Sequence, residues 1–174
     1  ECGSVLGSGY VPYDDEGTRA RKNYLIKNGK LAGRLHNAQT AAALDEDITG
    51  NARAIDCTFE PIVRMTTTYI EGGELDFDQL IAPIKKGYFI KSINHGSGMS
   101  TFTIAPSIAY EIVDGKLGRP VQISVLTGSV FETLGLIDGL TRDVTLLSFV
   151  TGGCGKMEQA GLPVGFGGPY VRVS

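Results

Sequence analysis

Apolar and polar residues alternate in short runs along most of this chain, and sustained helical periodicity is rare. The sharpest pattern is a pair of hairpins. Residues 24–27 and 30–35 read as strands around Asn28-Gly29, which supplies the positive φ values of a two-residue type I′ turn. Residues 107–113 and 117–123 flank Asp114-Gly115 in the same way. Both hairpins read Tyr-x-Ile-x-Asx-Gly-Lys-Leu, which fits an internal duplication or convergence on one turn chemistry. Pro120 places its strand at an edge or a bulge. Further strands are predicted over 65–70, 88–93, 101–104, 144–149 and 170–173, each rich in β-branched or aromatic residues beside turn signals. Helices fit between them. Asn37 caps an Ala-rich stretch over 38–44. Phe77, Leu80, Ile81 and Ile84 share one helical face, with Asp76 as cap, Gly87 as stop and Pro83 expected to kink or shorten the helix. Ser129-Val130-Phe131-Glu132 reads as a capping box opening a helix through about Ile137. Strand runs with few helices and no βαβ alternation indicate an α+β fold, mainly antiparallel β-sheet with a few short helices.

At 174 residues the chain reads as a single domain, 1–174, long enough to bury a core. Its 24 glycines are about twice the usual share of roughly 7%, which favours turns and close backbone contacts. A net charge of −3 and no basic stripe give no electrostatic reason to bind nucleic acid directly. No stretch approaches the roughly 20 apolar residues of a membrane-spanning helix, so no membrane partner is expected. Cys2, Cys57 and Cys154 are an odd, widely spaced set without a C-x-x-C. That is neither a disulfide framework nor a complete zinc site, and it favours a reducing, cytoplasmic setting.

Candidate chemistry centres on Cys154, in Thr151-Gly152-Gly153-Cys154-Gly155-Lys156. Flanking glycines place it on open backbone outside any regular element, opening onto a groove. Lys156 adds a positive charge of the kind that favours a thiolate, the form that binds metals and attacks electrophiles. A small residue in a tight turn is the plain alternative. A nucleophilic thiol would need a histidine base, and His36 and His95, the only histidines, read as surface or turn residues. Asp14, Asp15 and Glu16 could bind a cation or act as acid and base, although neighbours on a turn point apart and favour a solvated cap. Arg64, Thr66, Thr67, Thr68 and Tyr69 form a polar strand, either solvent-facing or able to pair with an extended peptide. Asn51 and Arg53 could hold a substrate carbonyl or carboxylate, or Arg53 could pair with the acidic cluster. Gly96 and Gly98 mark a Gly-rich stretch over 94–99 that reads as a lid or a plain turn. Candidate substrate-binding residues are therefore Asn51, Arg53, Arg64, Thr66, Thr68, Gly96 and Gly98.

Several of these segments carry a resemblance. Cys154-Gly155-Lys156 with Gln159, then Pro163-Val164-Gly165-Phe166-Gly167-Gly168-Pro169, resembles the C-terminal end of the TldD/PmbA family, metallopeptidases also called modulators of DNA gyrase. Asp14-Asp15-Glu16-Gly17, Leu25-Ile26-Lys27-Asn28-Gly29-Lys30-Leu31, Gly50-Asn51-Ala52-Arg53 and Pro61-Ile62-Val63-Arg64-Met65-Thr66-Thr67-Thr68-Tyr69 resemble further family segments, in the family's order. The resemblance implies a zinc site made of two histidines from an H-E-x-x-x-H helix and the cysteine of the C-G-K segment, with the helix glutamate as base. Cys154 is then the metal ligand, and no catalytic residue falls in this chain. His36 and His95 do not fit that helix, so the chain is expected to be the C-terminal domain of a longer protein and inactive alone. Retention of the C-G-K segment points to the TldD-like subtype. The implied cofactor is zinc. The implied partners are a peptide substrate and a family member in a homo- or hetero-dimer. The alternative is a non-catalytic module that binds a peptide or partner subunit.

Overall fold

The computed structural model describes residues 8–174, apart from the side chains of residues 149–152, and Cys2 lies outside that range. In chain order the elements are β1 (Ile26–Lys27), β2 (Lys30–Leu31), α1 (Ala38–Leu44), β3 (Ala52–Arg53), β4 (Ile62–Val63), β5 (Thr67–Tyr69) and α2 (Phe77–Ile81). There follow β6 (Lys86–Gly98), β7 (Thr101–Val113), β8 (Lys116–Val121), β9 (Leu126–Ser129), α3 (Val130–Gly135), β10 (Ile137–Leu140), β11 (Thr145–Lys156), β12 (Gln159–Gly168) and β13 (Val171–Val173). Antiparallel pairs dominate, and β12 with β5 is the parallel exception among the described strand ladders, so the expected α+β class holds. The chain divides into two compact units: residues up to Ile70 with Thr145–Gly168, and Glu71–Val144 with Pro169–Ser174.

In the first unit β12 lies between β11 and β5. The β1–β2 hairpin forms at Asn28 (φ 52°) and Gly29 (φ 71°), as the Asn-Gly pair requires. Helix α1 starts where expected, because the Asn37 side chain accepts from Thr40 N at 2.9 Å. It ends at Asp45, which takes the left-handed conformation at φ 54°. The buried apolar residues here are few and mostly small: Ala41, Ala52, Leu162 and Val164.

The second unit is built on the long β6–β7 ribbon. Strand β8 continues it on one edge of β7, and β9 pairs further along β7. The predicted strands over 101–104 and 107–113 are one continuous strand. Pro106 is tolerated inside it because it sits opposite Ile93, where the register slips and a missing N–H costs little. Pro120 lies on the outer strand β8, beside another register shift. Helix α2 has the full reciprocal cap, with Gln79 N to Asp76 at 2.8 Å and Asp76 N to Gln79 at 3.0 Å. It stops at Ile81, just short of Pro83, so Ile84 is not on it. Helix α3 ends at Gly135 rather than near Ile137, and Ile137 instead opens β10. Its cap is half of the expected box: Glu132 N donates to Ser129 Oγ at 3.4 Å. Leu80, Ile81, Ala109 and Ile112 are buried in this unit. Phe89 meets Phe77 and Tyr170 edge-on, with centroids 4.9 and 5.2 Å away, and stacks on Tyr110 at 6.5 Å. Among the described residues no helix is long and apolar enough to cross a membrane.

Candidate functional site

Cys154 lies within β11, not on a turn outside regular structure. Pairing with β12 overrides the weak β propensity of its glycine neighbours. The pairing is irregular at this point. Phe149 faces Val164, Cys154 faces Leu162 and Lys156 faces Gln159, with a register shift on each side of the cysteine. Residues 150–153 are thus opposed by Pro163 alone, as a bulge requires. Gly153 absorbs the slip at φ 119°, against the carbonyl of Leu162, where a Cβ would not fit. Cys154 is a free, half-buried thiol, and Cys57 is a free, exposed one. A hollow of about 930 Å³ in the same unit is lined by Arg21, Tyr24, Lys27, Arg34, His36 and Glu46, and Cys154 is not on it.

The cysteine hairpin is tied to the segment around β3 and β4 by long polar side chains that reach main-chain groups. Arg64 Nη2 donates to Cys154 O at 2.6 Å. Lys156 Nζ donates to Val63 O at 2.8 Å. Gln159 bridges the other way, donating to Glu60 O at 2.9 Å and accepting from Ile55 N at 3.1 Å. Arg53 donates to Met65 O at 2.8 Å and to Pro163 O at 3.1 Å. Asn51 holds Arg64 by its backbone: Asn51 Nδ2 donates to Arg64 O at 3.1 Å, and Arg64 N donates to Asn51 O at 2.8 Å. Asn51, Arg53, Arg64 and Gln159 are all buried. Such bonds cross-link distant chain segments, and each charged donor strengthens its bond to a carbonyl.

The other predicted site residues fall as follows. Thr66 and Thr67 are buried rather than solvent-facing, and Thr68 is exposed. Thr66 O accepts from Gly165 N at 2.9 Å, so this edge of β5 is already paired with β12. The acidic cluster braces the backbone. Asp14, which is buried, accepts from Thr18 N at 2.8 Å, Ala52 N at 3.0 Å and Glu16 N at 3.1 Å. Asp15 accepts from Ala54 N at 2.7 Å, and Glu16 from Ala38 N at 2.8 Å. His36 is buried, not a surface residue. Its Nδ1 lies 3.0 Å from Thr40 Oγ1 and its Nε2 2.7 Å from Glu46, so neither nitrogen is available as a base for Cys154. Glu46 also pairs with Arg34. His95, Gly96 and Gly98 are in the second unit and lie on β6, where Gly96 faces Ile104 and Gly98 faces Phe102, so the stretch before Met99 is strand and not a loop. The roles of Lys156 and Gln159 escaped sequence reasoning, because their partners are main-chain groups some hundred residues away and leave no side-chain signature.

Among the described residues no group of three or more His, Cys, Asp or Glu side chains could enclose a metal ion. Cys154 supplies one donor of the right chemistry for zinc, which accepts thiolate sulfur beside imidazole nitrogen. Arg64, bonded to the Cys154 carbonyl, and Lys156, two residues further along β11, are cations and cannot join such a ligand set.

A model of the PmbA/TldA metallopeptidase C-terminal domain matches residues 3–174. A Synechocystis metalloprotease is 42% identical over 168 residues, which is 95% of this chain and 35% of that protein. A zinc metalloprotease TldD homolog of Saccharolobus solfataricus is 32% identical over 168 residues, 95% of this chain and 37% of that protein. The chain thus spans about a third of the length of these relatives. The crystal structure of TldE from Thermococcus kodakarensis superposes with a TM-score of 0.73 at 22% identity, over 92% of this chain and 34% of that one. At that identity the likeness speaks for the fold.

Proposed function

This chain belongs to the PmbA/TldD metallopeptidase family, and from that membership we propose that it is the C-terminal domain of a longer, TldD-type zinc peptidase acting on unfolded or small peptides. The observation that carries the reading is Cys154: a free thiol on a bulged strand whose carbonyl is held by a buried guanidinium. Cys154 gives one metal ligand, and the remaining ligands and the general base come from outside this chain. Bound zinc lowers the pKa of its water toward roughly 7 and polarises the scissile carbonyl. Asn51, Arg53, Arg64 and Thr66 shape the site from beneath, by holding the backbone. Thr68 is the candidate for peptide contact in the first unit, and Gly96 and Gly98 are separate candidates in the second. A cytoplasmic setting suits the free thiols of Cys57 and Cys154.

A second reading is a non-catalytic module that binds a peptide or a family-member subunit. The large side chains of Met99 and Phe131, 92% and 77% exposed on either side of the Thr101–Ser129 pair, favour it. Cys154→Ala in the full-length protein separates the two. The enzyme reading expects zinc content and peptide hydrolysis to fall sharply, while the melting temperature of the metal-free protein barely moves. Losing one of three protein ligands removes the geometry that catalysis needs, and a half-buried thiol contributes little packing. Stoichiometric zinc and normal turnover in the variant would leave the module reading ahead, whereas chelator-sensitive casein hydrolysis by the 174-residue chain alone would overturn the expectation that the chain is inactive by itself.

A further inference from the structure

We propose that Arg64 is the positioning residue of Cys154: it fixes the direction of the thiol through its bond to the Cys154 carbonyl. This rests on Cys154 being a ligand. The ladder does not hold the cysteine by itself. Cys154 sits between two register shifts, with Leu162 as its one paired neighbour, so its orientation has to be set from outside β11 and β12. The bond from Arg64 Nη2 to Cys154 O, at 2.6 Å, is the constraint that does so. Arg64 is itself rigid at its base, because Asn51 bonds both its N–H and its C=O.

The guanidinium is also paired in an unusual way. Arg64 is 1% exposed, the largest fully buried side chain among the described residues. Among the described residues its Nε and Nη1 have no hydrogen-bond partner. A guanidinium stays protonated, and buried charges are ordinarily paired. Arg53 in the same unit shows the ordinary case, with each of its Nη atoms on a carbonyl. A buried ion with one carbonyl for a partner leaves part of its desolvation cost unmet, so its burial is weak evidence for a purely stabilising role. With its other donors unmet, the bond that remains to Arg64 is the one that holds the Cys154 carbonyl, and that bond is the role the structure assigns to it. Burial keeps the guanidinium away from a peptide, which separates this role from substrate binding.

The test uses the full-length protein with cobalt(II) in place of zinc, read by the near-ultraviolet thiolate-to-metal charge-transfer band, metal affinity and melting temperature. Cys154→Ser is measured first. Loss of the band there establishes the ligand, and a band that persists overturns the functional reading itself rather than the role of Arg64. In Arg64→Met the band is expected to weaken or shift and metal affinity to fall by about tenfold, as for partners of metal ligands elsewhere, with the apo melting temperature close to wild type. Arg64→Lys, which keeps the charge but not the planar fork, should recover part of the band. Arg53→Met should do the opposite, lowering the melting temperature and leaving the band unchanged. If Arg64→Met does not fold, Arg64→Lys and Arg53→Lys decide: a band altered in the first alone supports the role. Arg64 variants that lose stability while keeping a wild-type band, or that match the Arg53 variants in every readout, overturn it.

Discussion

The two units bury different kinds of side chain. The first encloses Asp14, His36, Asn37, Asn51, Arg53, Arg64 and Gln159 among small apolar residues, whereas Thr141 is the buried polar residue of the second among those described. The second is held by Leu80, Ile81, Ala109, Ile112 and the rings around Phe89. Apolar burial is non-directional and stabilises a shape. Hydrogen bonds from buried side chains to main chain are directional, and their net contribution to stability is modest. The first unit therefore gives up cohesion for precise placement of backbone, and the cysteine strand is among the pieces placed. The second is the cheaper kind of scaffold. This contrast also explains why Asn51, Arg53 and Arg64 look like substrate-binding residues in sequence and act as braces in the structure.

The contrast is broken most directly from the second unit. Phe89→Ala removes the ring that meets Phe77, Tyr110 and Tyr170, and should cost about 3 kcal/mol by urea denaturation. A loss under about 1 kcal/mol would mean that this unit does not rest on its rings. The matching change in the first unit is Asp14→Ala. It strands the amides of Glu16, Thr18 and Ala52, and should cost about 2 kcal/mol. Asp14→Asn separates bonding from packing. Its remaining oxygen can still serve Glu16 and Thr18 but not Ala52, so about half of the loss should return. Equal losses for Ala and Asn would show that the carboxylate's charge matters more than its bonds.

How far each unit was legible follows from the same contrast. The hairpin turns were legible because Asn28-Gly29 and Asp114-Gly115 encode positive φ locally, whatever they pack against. The caps at Asn37 and Asp76 were legible for the same reason. The run around Cys154 was misread as open backbone. Glycine carries little strand propensity, and β11 exists through its pairing with β12 and not through its own composition. The stretch over 94–98 was misread likewise, since its pairing with β7 decides it. The braces were the least legible. Arg53 reaches Pro163, and Arg64 reaches Cys154, across about half the chain, and the acceptors are carbonyls that every residue possesses.

The smallest effect concerns charge at the surface of the second unit, where pairing should matter least. Arg172 Nε donates to Asp138 at 2.7 Å and holds that carboxyl below its ordinary value of 3.8. Because the folded state binds the proton more weakly than the unfolded chain does, the pair's contribution is fully present above the unfolded value and is lost as pH falls through the lower folded one. Asp138→Asn removes the charge and keeps the shape. Its melting temperature should lie slightly below wild type by a constant amount above about pH 5, with the two curves converging as pH falls below about 4. The shift should shrink in high salt, because exposed charges are screened. Arg172 also donates to Leu80 O at 2.7 Å, a bond that needs no carboxylate and should survive the change. A difference between the two proteins that persists unchanged to the lowest pH would mean that Asp138 acts through that geometry, by steering Arg172 onto Leu80. The second unit would then also use a polar brace to place its backbone, and the division of labour between the units would be less sharp than their interiors imply.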